Sequence, residues 1–594
     1  MTIIELGRTT PINLRTDPDN QFVRKVKLGP YTVDATLLAA FPGLDESDRP
    51  EISVTFVRDE SGAQYDAKQS VDGVYAEPFT FFFDNALQTL WVHIGRTDSP
   101  FTTVYFYGLA QGFAQGKMVY VDNEAFLPLI ESTPGLRQQQ DLDGVAVLSF
   151  ITGSVSISNL SGRLDNLIPQ PVYGNDVLIY HLPDGESGHY TRDDLLQVAS
   201  VFVEDYDLST QKIDLRIQDR RKAQNIDIPV DRFNDTDYPN IYPETNGKVI
   251  PVLWGTAREI PAVVTNGEVT TGNVTYRAAL LLTNIGTVQV ETDAGWETVT
   301  PLNTSLATGE FELSAGDARD ANGNPLDCKL VDSTGIAISR ITDVIKDASE
   351  RFGDVAYTAS NYDITEWEAE ELTLTSTGGY YIDSEKRLFD VILDLQNGAN
   401  VGFRYEIKPD GRRTIRIDDE TRTPVAYISN TIIANRDNIN VKTDSRLLAA
   451  EIIVKYGLSY QSGRSLRYVD TTERQKVLDI YNQAPRREYP LQTNSAINTE
   501  TDAIERAGYI KDRFSRIRGI VEIEVMCADL DRRDLLSLRV YDIVDIEITP
   551  SDFVDRDAGT IAGREFYGIK RCKVLSIDPD TSRSVNTITA VIID

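Results

Sequence analysis

No helical period occurs in this chain before Ser339; up to there the apolar residues come in short runs that alternate with polar ones. In "KIDLRIQ" Ile213, Leu215 and Ile217 alternate with Asp214 and Arg216, and in "SVSISN" Val155 and Ile157 alternate with Ser156 and Ser158. Period-two patterning requires one buried and one wet sheet face. With no helix between successive runs, the strands must pair antiparallel, which excludes a doubly wound nucleotide-binding fold. The first 138 residues read the same way, with "EISVTFV", "FTFFF", "TLWVHIG" and "TTVYFYG" rich in β-branched and aromatic residues.

Helical spacing arrives late. In "SRITDVIKDASERFG" Ile341, Val344, Ile345, Ala348 and Phe352 share one face, with Ser339 expected as cap and Gly353 as stop. "SEKRLFDVILDLQNG" repeats the design between Ser384 and Gly398, and a hairpin turning at "KPDG" follows. A third helix, "TDAIERAGYIKDRFSRIRG", aligns Ala503, Ala507, Ile510, Phe514 and Ile517. The expected fold class is therefore mainly β with α+β parts, multidomain, with an N-terminal β-sandwich-like domain.

At 594 residues the chain exceeds one hydrophobic core. Composition and punctuation divide it into 1–138, 139–245, 246–335, 336–440 and 441–594, with "STPGLRQQQDLDG" as a linker after the first. Its 59 Lys and Arg stand against 91 Asp and Glu, a formal charge of −32. Phosphate-driven nucleic-acid binding needs a cationic face, so the chain as a whole should repel DNA. No run of 18 apolar residues and no secretory signal is present, and we expect no membrane span. Cys328, Cys527 and Cys572 lie too far apart for a disulfide framework or zinc site, which suits assembly in a reducing cytoplasm.

Motifs for chemistry fail in turn. "GFAQGK" lacks the spacing and the Ser or Thr of a phosphate-binding loop. "RDANGNPLD" lacks two oxygen ligands of a calcium loop and reads as a turn. His93 falls on a strand; His181 and His189 bracket "LPDGESG", expected to be a solvated hairpin tip. "DITEWEAEE" concentrates acids around Trp367, which would serve glycoside chemistry only in a cleft. No catalytic, cofactor-binding or metal-binding residue is assigned, and no cofactor is expected.

The central segment "GKVIPVLWGTAREIPAVVTNG" holds two apolar runs, each punctuated by a proline. Pro251 and Pro261 cannot donate ladder hydrogen bonds, so the runs suit edge strands or strand starts at a structural junction, with Trp254 as the buried anchor.

The order of "GSVSISNLSGRLDNL" and "IDLRIQDRRK", then "KVIPVLWGTAREIPAV", then "LFDVILDLQNGANVGFRYEIKPDGRRTIRI", then the late helix ending in "VYDIVDIEI", resembles the tail or baseplate hub proteins of bacteriophages over roughly residues 145–594. In that family the late strand often reads Gly-Asp-Val-Val, and here it is Tyr541, Asp542, Ile543 and Val544, a departure at Tyr541. The resemblance implies two antiparallel β-barrel tube domains per chain, within 139–245 and 441–594, and a homotrimer presenting six barrels to the tail tube. It also implies a virion location at the tail tip or baseplate after assembly in the host bacterial cytoplasm. The implied partners are the tail tube, distal tail and tail-fibre or tip proteins and the tape-measure protein, with DNA passing through without specific binding. A hub of this kind is not an enzyme. Two alternatives stay open: a tip-associated cell-wall hydrolase, or a receptor- or glycan-binding tail protein acting through residues 1–138. Part of the acidic excess is expected to line the opening, with Lys511, Arg513, Arg516 and Arg518 at protein contacts.

Overall fold

The computed structural model gives side chains for most of residues 131–593, a few earlier ones such as Ala114 and Phe126, and the strands of residues 2–130 chiefly as backbone. It leaves undescribed, among shorter stretches, 28–55, 68–79, 94–102, 140–151, 160–175 and 549–567. The side chain of His93 and residues 116–118 of the glycine-containing "GFAQGK" region lie outside the described residues; Gly112 itself is in a strand.

The alternating runs form sheets throughout, and the fold is multidomain and mainly β. The strands that matter here are β1 (Thr2–Asn13), β2 (Glu124–Ser132), β3 (Gln138–Gln139), β4 (Thr152–Ser158), β5 (Asp176–His181), β6 (Leu196–Leu208) and β7 (Lys212–Asp219). They pair in the order β2-β4-β7-β6-β5-β1, and β1 continues into the strands of residues 56–115. Val155, Ile157, Val177, Ile179, Val201, Val203, Ile213, Leu215 and Ile217 fill one core beneath this curled sheet.

The middle of the chain begins with β8 (Val252–Asn266), the strand of the proline-punctuated segment. Its partners include β9 (Cys328–Thr334) and β10 (Gly379–Ile382). Between and after them come α1 (Ile341–Arg351), α2 (Ile364–Glu371), α3 (Leu388–Asn397), β11 (Phe403–Ile407) and β12 (Arg413–Ile417). At its start, from Val252 to Gly255, both faces of β8 are buried, each in a different core. Val252 and Trp254 join the helices and the β11–β12 hairpin, while Leu253, Ala257 and Ile260 join a core of strands with Tyr276, Phe311 and Leu330.

The last section contains β13 (Ala426–Ile428), α4 (Glu500–Phe514), β14 (Gly519–Met526), β15 (Ile543–Ile548), β16 (Gly568–Asp580) and β17 (Val585–Ile592). The sheet order is β13-β15-β16-β17-β14, and a bridge from Ile433 to Val525 curls it toward closure.

This second sheet repeats the first. The strands β4, β5, β6, β7 lie in the order β4-β7-β6-β5, and β14, β15, β16, β17 lie as β14-β17-β16-β15. β5 and β15 each have 6 residues, β6 and β16 each 13, β7 and β17 each 8. The long hairpins break register at one equivalent place, after Val203 in β6 and after Val574 in β16. Each hairpin end is tied to the first strand by an equivalent bond of 2.7 Å: Asn159 N–H to Gln211 O, and Cys527 N–H to Ser584 O. Register then matches Val155 with Ile523, Leu215 with Ile588 and Ile179 with Ile546. Two bulges at one structural position mark one design used twice.

Two helices start later than their sequence spacing predicts. α3 begins at Leu388 with Arg387 as cap, four residues past Ser384, because Lys386 and Arg387 are drawn into a two-residue ladder with Ile228 and Asp227. α1 is capped by Arg340 and closes at Phe352. α4 stops at Phe514, so Ile517 packs from beyond the helix. "RDANGNPLD" is a turn, with Asp320 accepting from the Asn322 and Asn324 amides.

Trp254 tests the α-helical core. It is fully buried, its ring meets Phe352 edge-on at 6.3 Å, and its Nε1–H donates to Asp347 at 2.6 Å. Trp254→Ala should lower stability by about 3–5 kcal/mol. Trp254→Phe, which removes the donor while Asp347 keeps Arg351 as partner, should cost roughly 1–2 kcal/mol, read by denaturant unfolding.

Candidate functional site

Three elements that carry alternating charges in sequence converge beneath the second sheet. β12 buries all five residues, including Arg413 and Arg416, so the wet face expected of an exposed hairpin is absent. Asp418 and Glu420 leave its end, Lys573 projects from β16, and Arg513 and Arg518 come from α4 and the turn after it. Lys573 Nζ lies 2.8 Å from both Asp418 Oδ1 and Glu420 Oε1; Arg513 Nε donates to Asp418 at 3.0 Å and Arg518 to Glu420 at 2.7 Å. Tyr509 Oη donates to Asp418 at 2.6 Å.

A second group adjoins it. Arg416 pairs with Asp542, which precedes β15, and Asp542 Oδ2 accepts the Arg539 amide at 2.7 Å. Arg539 reaches back to Glu406 on β11 and Glu366 on α2. Arg404, Glu406, Asp418 and Lys573 are each at most 6% exposed, so the charges are removed from water and must satisfy one another. Burial alone would raise the Asp418 and Glu406 carboxyls; Lys573 and Arg513 at the first, and Arg539, Arg404 and Arg416 at the second, outweigh it and hold both below the usual carboxylate range. Asp542 goes the other way, because burial outweighs Arg416.

The acids around Trp367 belong to this joint. They lie on α2, a helix the sequence reading did not anticipate, capped by Asp363 accepting from the Glu366 amide. Trp367 points inward, fully buried. Glu366 meets Arg539, Glu370 meets Arg422, and Glu371 meets Lys346 at 3.1 Å. The carboxylates are thus committed to cations rather than gathered in a cleft. A cleft of about 590 Å³ does open between β8 and the start of α4; its ionisable lining is one acid, Asp332, and one base, Arg258. Among the described residues no group of three or more His, Cys, Asp or Glu is arranged to hold a metal, and no helix is long and apolar enough to cross a membrane.

The remaining sequence candidates separate. Pro251 immediately precedes β8. Pro261 lies inside it, opposite Lys329 of β9, where the strand on the other side begins only at Val263; its carbonyl accepts from Tyr381 Oη at 3.2 Å. Of the late basic residues, Arg513 and Arg518 are in the joint, Lys511 is 3.8 Å from Asp470, and Arg516 donates to Ile593 O. His181 is not at a solvated tip: it ends β5, fully buried, with Nε2 3.0 Å from Ser584 Oγ of the second sheet. The tip itself, residues 183–188, lies outside the described residues.

Tyr541 sits in the turn before β15 with φ 74°, a conformation open to glycine and costly for other residues. The resemblance's Gly-Asp-Val-Val strand has glycine at this place, and the strand itself starts only at Ile543. Here the tyrosine is 3% exposed, its amide donates to Val574 O at 2.9 Å, and burial pushes its hydroxyl pKa up. Tyr541→Gly relieves the backbone and Tyr541→Ala does not, so both should melt below the parent, with the Ala variant roughly 1 kcal/mol less stable than the Gly variant.

Acid should open the joint. Despite burial, Lys573 and Arg518 hold Glu420 at about 2, against an ordinary 4.5. A depressed carboxylate contributes stability fully above its unfolded pKa and loses it as pH falls toward the folded one. Glu420 alone should therefore contribute about 3 kcal/mol that disappears between about pH 5 and pH 2. Denaturation against pH should show this fall, and Glu420→Gln should flatten it.

No family model matches the chain, and no curated protein matches it. Solved structures similar to it include the tail protein from Neisseria meningitidis MC58, at 9% identity, covering 80% of this chain and 96% of that one, with TM-score 0.34. The prophage MuSo2 43 kDa tail protein from Shewanella oneidensis is similar at 9% identity over 80% of this chain and 98% of that one, TM-score 0.36. A chain from the virion of a native gene transfer agent particle is similar at 12% identity over 59% and 85%, TM-score 0.35. At these TM-scores the likeness supplies no residue correspondence.

Proposed function

We propose that the chain is a structural subunit of a bacteriophage tail: a hub at the tip or baseplate that forms a ring, continues the tail tube and passes DNA. The observation that carries this reading is the repeat, two curled sheets of one topology, strand lengths and bulge position in a single chain. A chain with two equivalent sheets matches a six-fold tube when three copies close into a ring, since head-to-tail contacts close only under such rotation. The sequence resemblance supports the same reading, and the buried joint supports it from mechanics: a component held between partners needs its sheets fixed relative to each other.

In this reading Pro251, Trp254 and Pro261 mark a structural junction, residues 139–245 and 441–594 supply the two tube domains, and the segments between decorate the outside. The partners are other copies of the chain and the adjoining tail-tube, tip, fibre and tape-measure proteins. The role is not enzymatic; the acid cluster a hydrolase would need is consumed in ion pairs. The −32 excess keeps the duplex from adhering to the channel wall, because DNA carries about one charge per 1.7 Å of axis.

Light scattering on the purified chain should give a mass near three copies, and electron microscopy a ring with a central opening. A single-copy mass at micromolar concentration, with no ring, would count against the reading.

A further inference from the structure

The cleft between β8 and the start of α4 has a floor made by a regular ladder. β8 and β9 pair antiparallel there, Thr256 with Thr334, Ala257 with Ser333 and Glu259 with Val331, so Arg258 stands opposite Asp332. Thr256, Arg258, Asp332 and Thr334 all line the cleft. Side chains opposed in such a ladder are near enough to interact. The two threonines do, with Thr256 Oγ1 2.9 Å from Thr334 Oγ1. Arg258 and Asp332, one step along and opposite in charge, do not. Among the described residues neither side chain forms an ion pair or a hydrogen bond, and both are exposed.

The backbone accounts for the missing pair. Asp332 has φ 53°, in the left-handed region, so its side chain leaves the strand in a direction the regular pleat does not give it. Gly286 permits this turn, since a Cβ at that position would run into the Val331 carbonyl oxygen. Backbone held out of its ordinary range by close packing is found disproportionately where ligands bind. Two apolar side chains complete the lining: Ile338, half-buried, and Leu466, 42% exposed, from the strand Leu466–Asp470. The volume of about 590 Å³ falls within the range of small-molecule sites, roughly 300–1,000 Å³.

We propose that this cleft binds a zwitterion with an apolar side chain, an α-amino acid or a short peptide with free termini. Its carboxylate pairs with the Arg258 guanidinium, its ammonium with the Asp332 carboxylate, and its side chain lies against Leu466 and Ile338. A simple anion or cation would meet a like charge beside its partner, and an uncharged molecule would leave both groups without one. A ligand carrying both charges satisfies both, through charge-assisted hydrogen bonds. This goes beyond the ring reading and does not depend on it.

The test is saturation-transfer NMR on the full chain with L-leucine and with the dipeptide Leu-Leu. Saturation should pass to the leucine methyl groups, and titration should reach a plateau. Leucine binding at least as tightly as Leu-Leu identifies a free amino acid as the ligand; tighter binding of Leu-Leu identifies a peptide. N-acetyl-leucine amide, which lacks both charges, should give no transfer. Arg258→Gln and Asp332→Asn should each weaken binding about tenfold or more with unchanged melting, because neither side chain bonds to the rest of the fold and asparagine also tolerates positive φ. Absence of saturable transfer with both probes overturns the site. Equal transfer to N-acetyl-leucine amide, or binding that survives both substitutions, overturns it as well. None of these results bears on copy number, so the ring reading stands or falls by its own experiment.

Discussion

Removing Asp418, Lys573, Arg513 and Glu420 from water is tolerable only because each lies against an opposite charge, and the relative placement of three parts of the molecule depends on that mutual neutralisation. The β11–β12 hairpin supplies the acids, α4 the guanidinium groups and β16 the amine. A buried ion pair adds little net stability over a well-packed apolar contact, yet losing one partner is severe. Its value here is geometric: the acids of the hairpin reach their cations only when the hairpin, α4 and the sheet are in this relative placement. Arg416 with Asp542, and Arg539 with Glu406, extend the same constraint to the turn before β15.

The repeat makes sense of features that look unrelated. The sequences of β7 and β17, "KIDLRIQD" and "VNTITAVI", share alternation but almost no residues, so the duplication is visible only in order, length and bulge. The two copies have diverged in what surrounds them. Leu575, Ser576 and Ile577 are buried, whereas Glu204, Asp205 and Tyr206 at the same places are partly or well exposed.

Much of the architecture was legible in local pattern. Period two gave the strands, and spacings of three and four gave α1, α3 and α4. Boundaries were less legible where a distant strand competes: Lys386 and Arg387 leave the helix for a ladder with Ile228 and Asp227, 158 positions apart at Ile228–Lys386 and 160 at Asp227–Arg387. The joint was hidden because charges in alternating strands read as a wet face, and only tertiary packing turns Arg416 and Glu406 inward. α2 was hidden because its cluster of acids suggests repulsion until Arg539, Arg422 and Lys346 are brought alongside. Tyr541 was noticed as a departure, but its positive φ is a backbone property that a tyrosine in sequence does not signal.

The three thiols have a chemical consequence. Cys328, Cys527 and Cys572 are all buried, and burial pushes the Cys328 thiol far above its ordinary range, so little thiolate is available to attack or be oxidised. Thiol–disulfide exchange proceeds through an accessible thiolate, so a shift from reducing to oxidising surroundings leaves these three buried sulfurs unchanged.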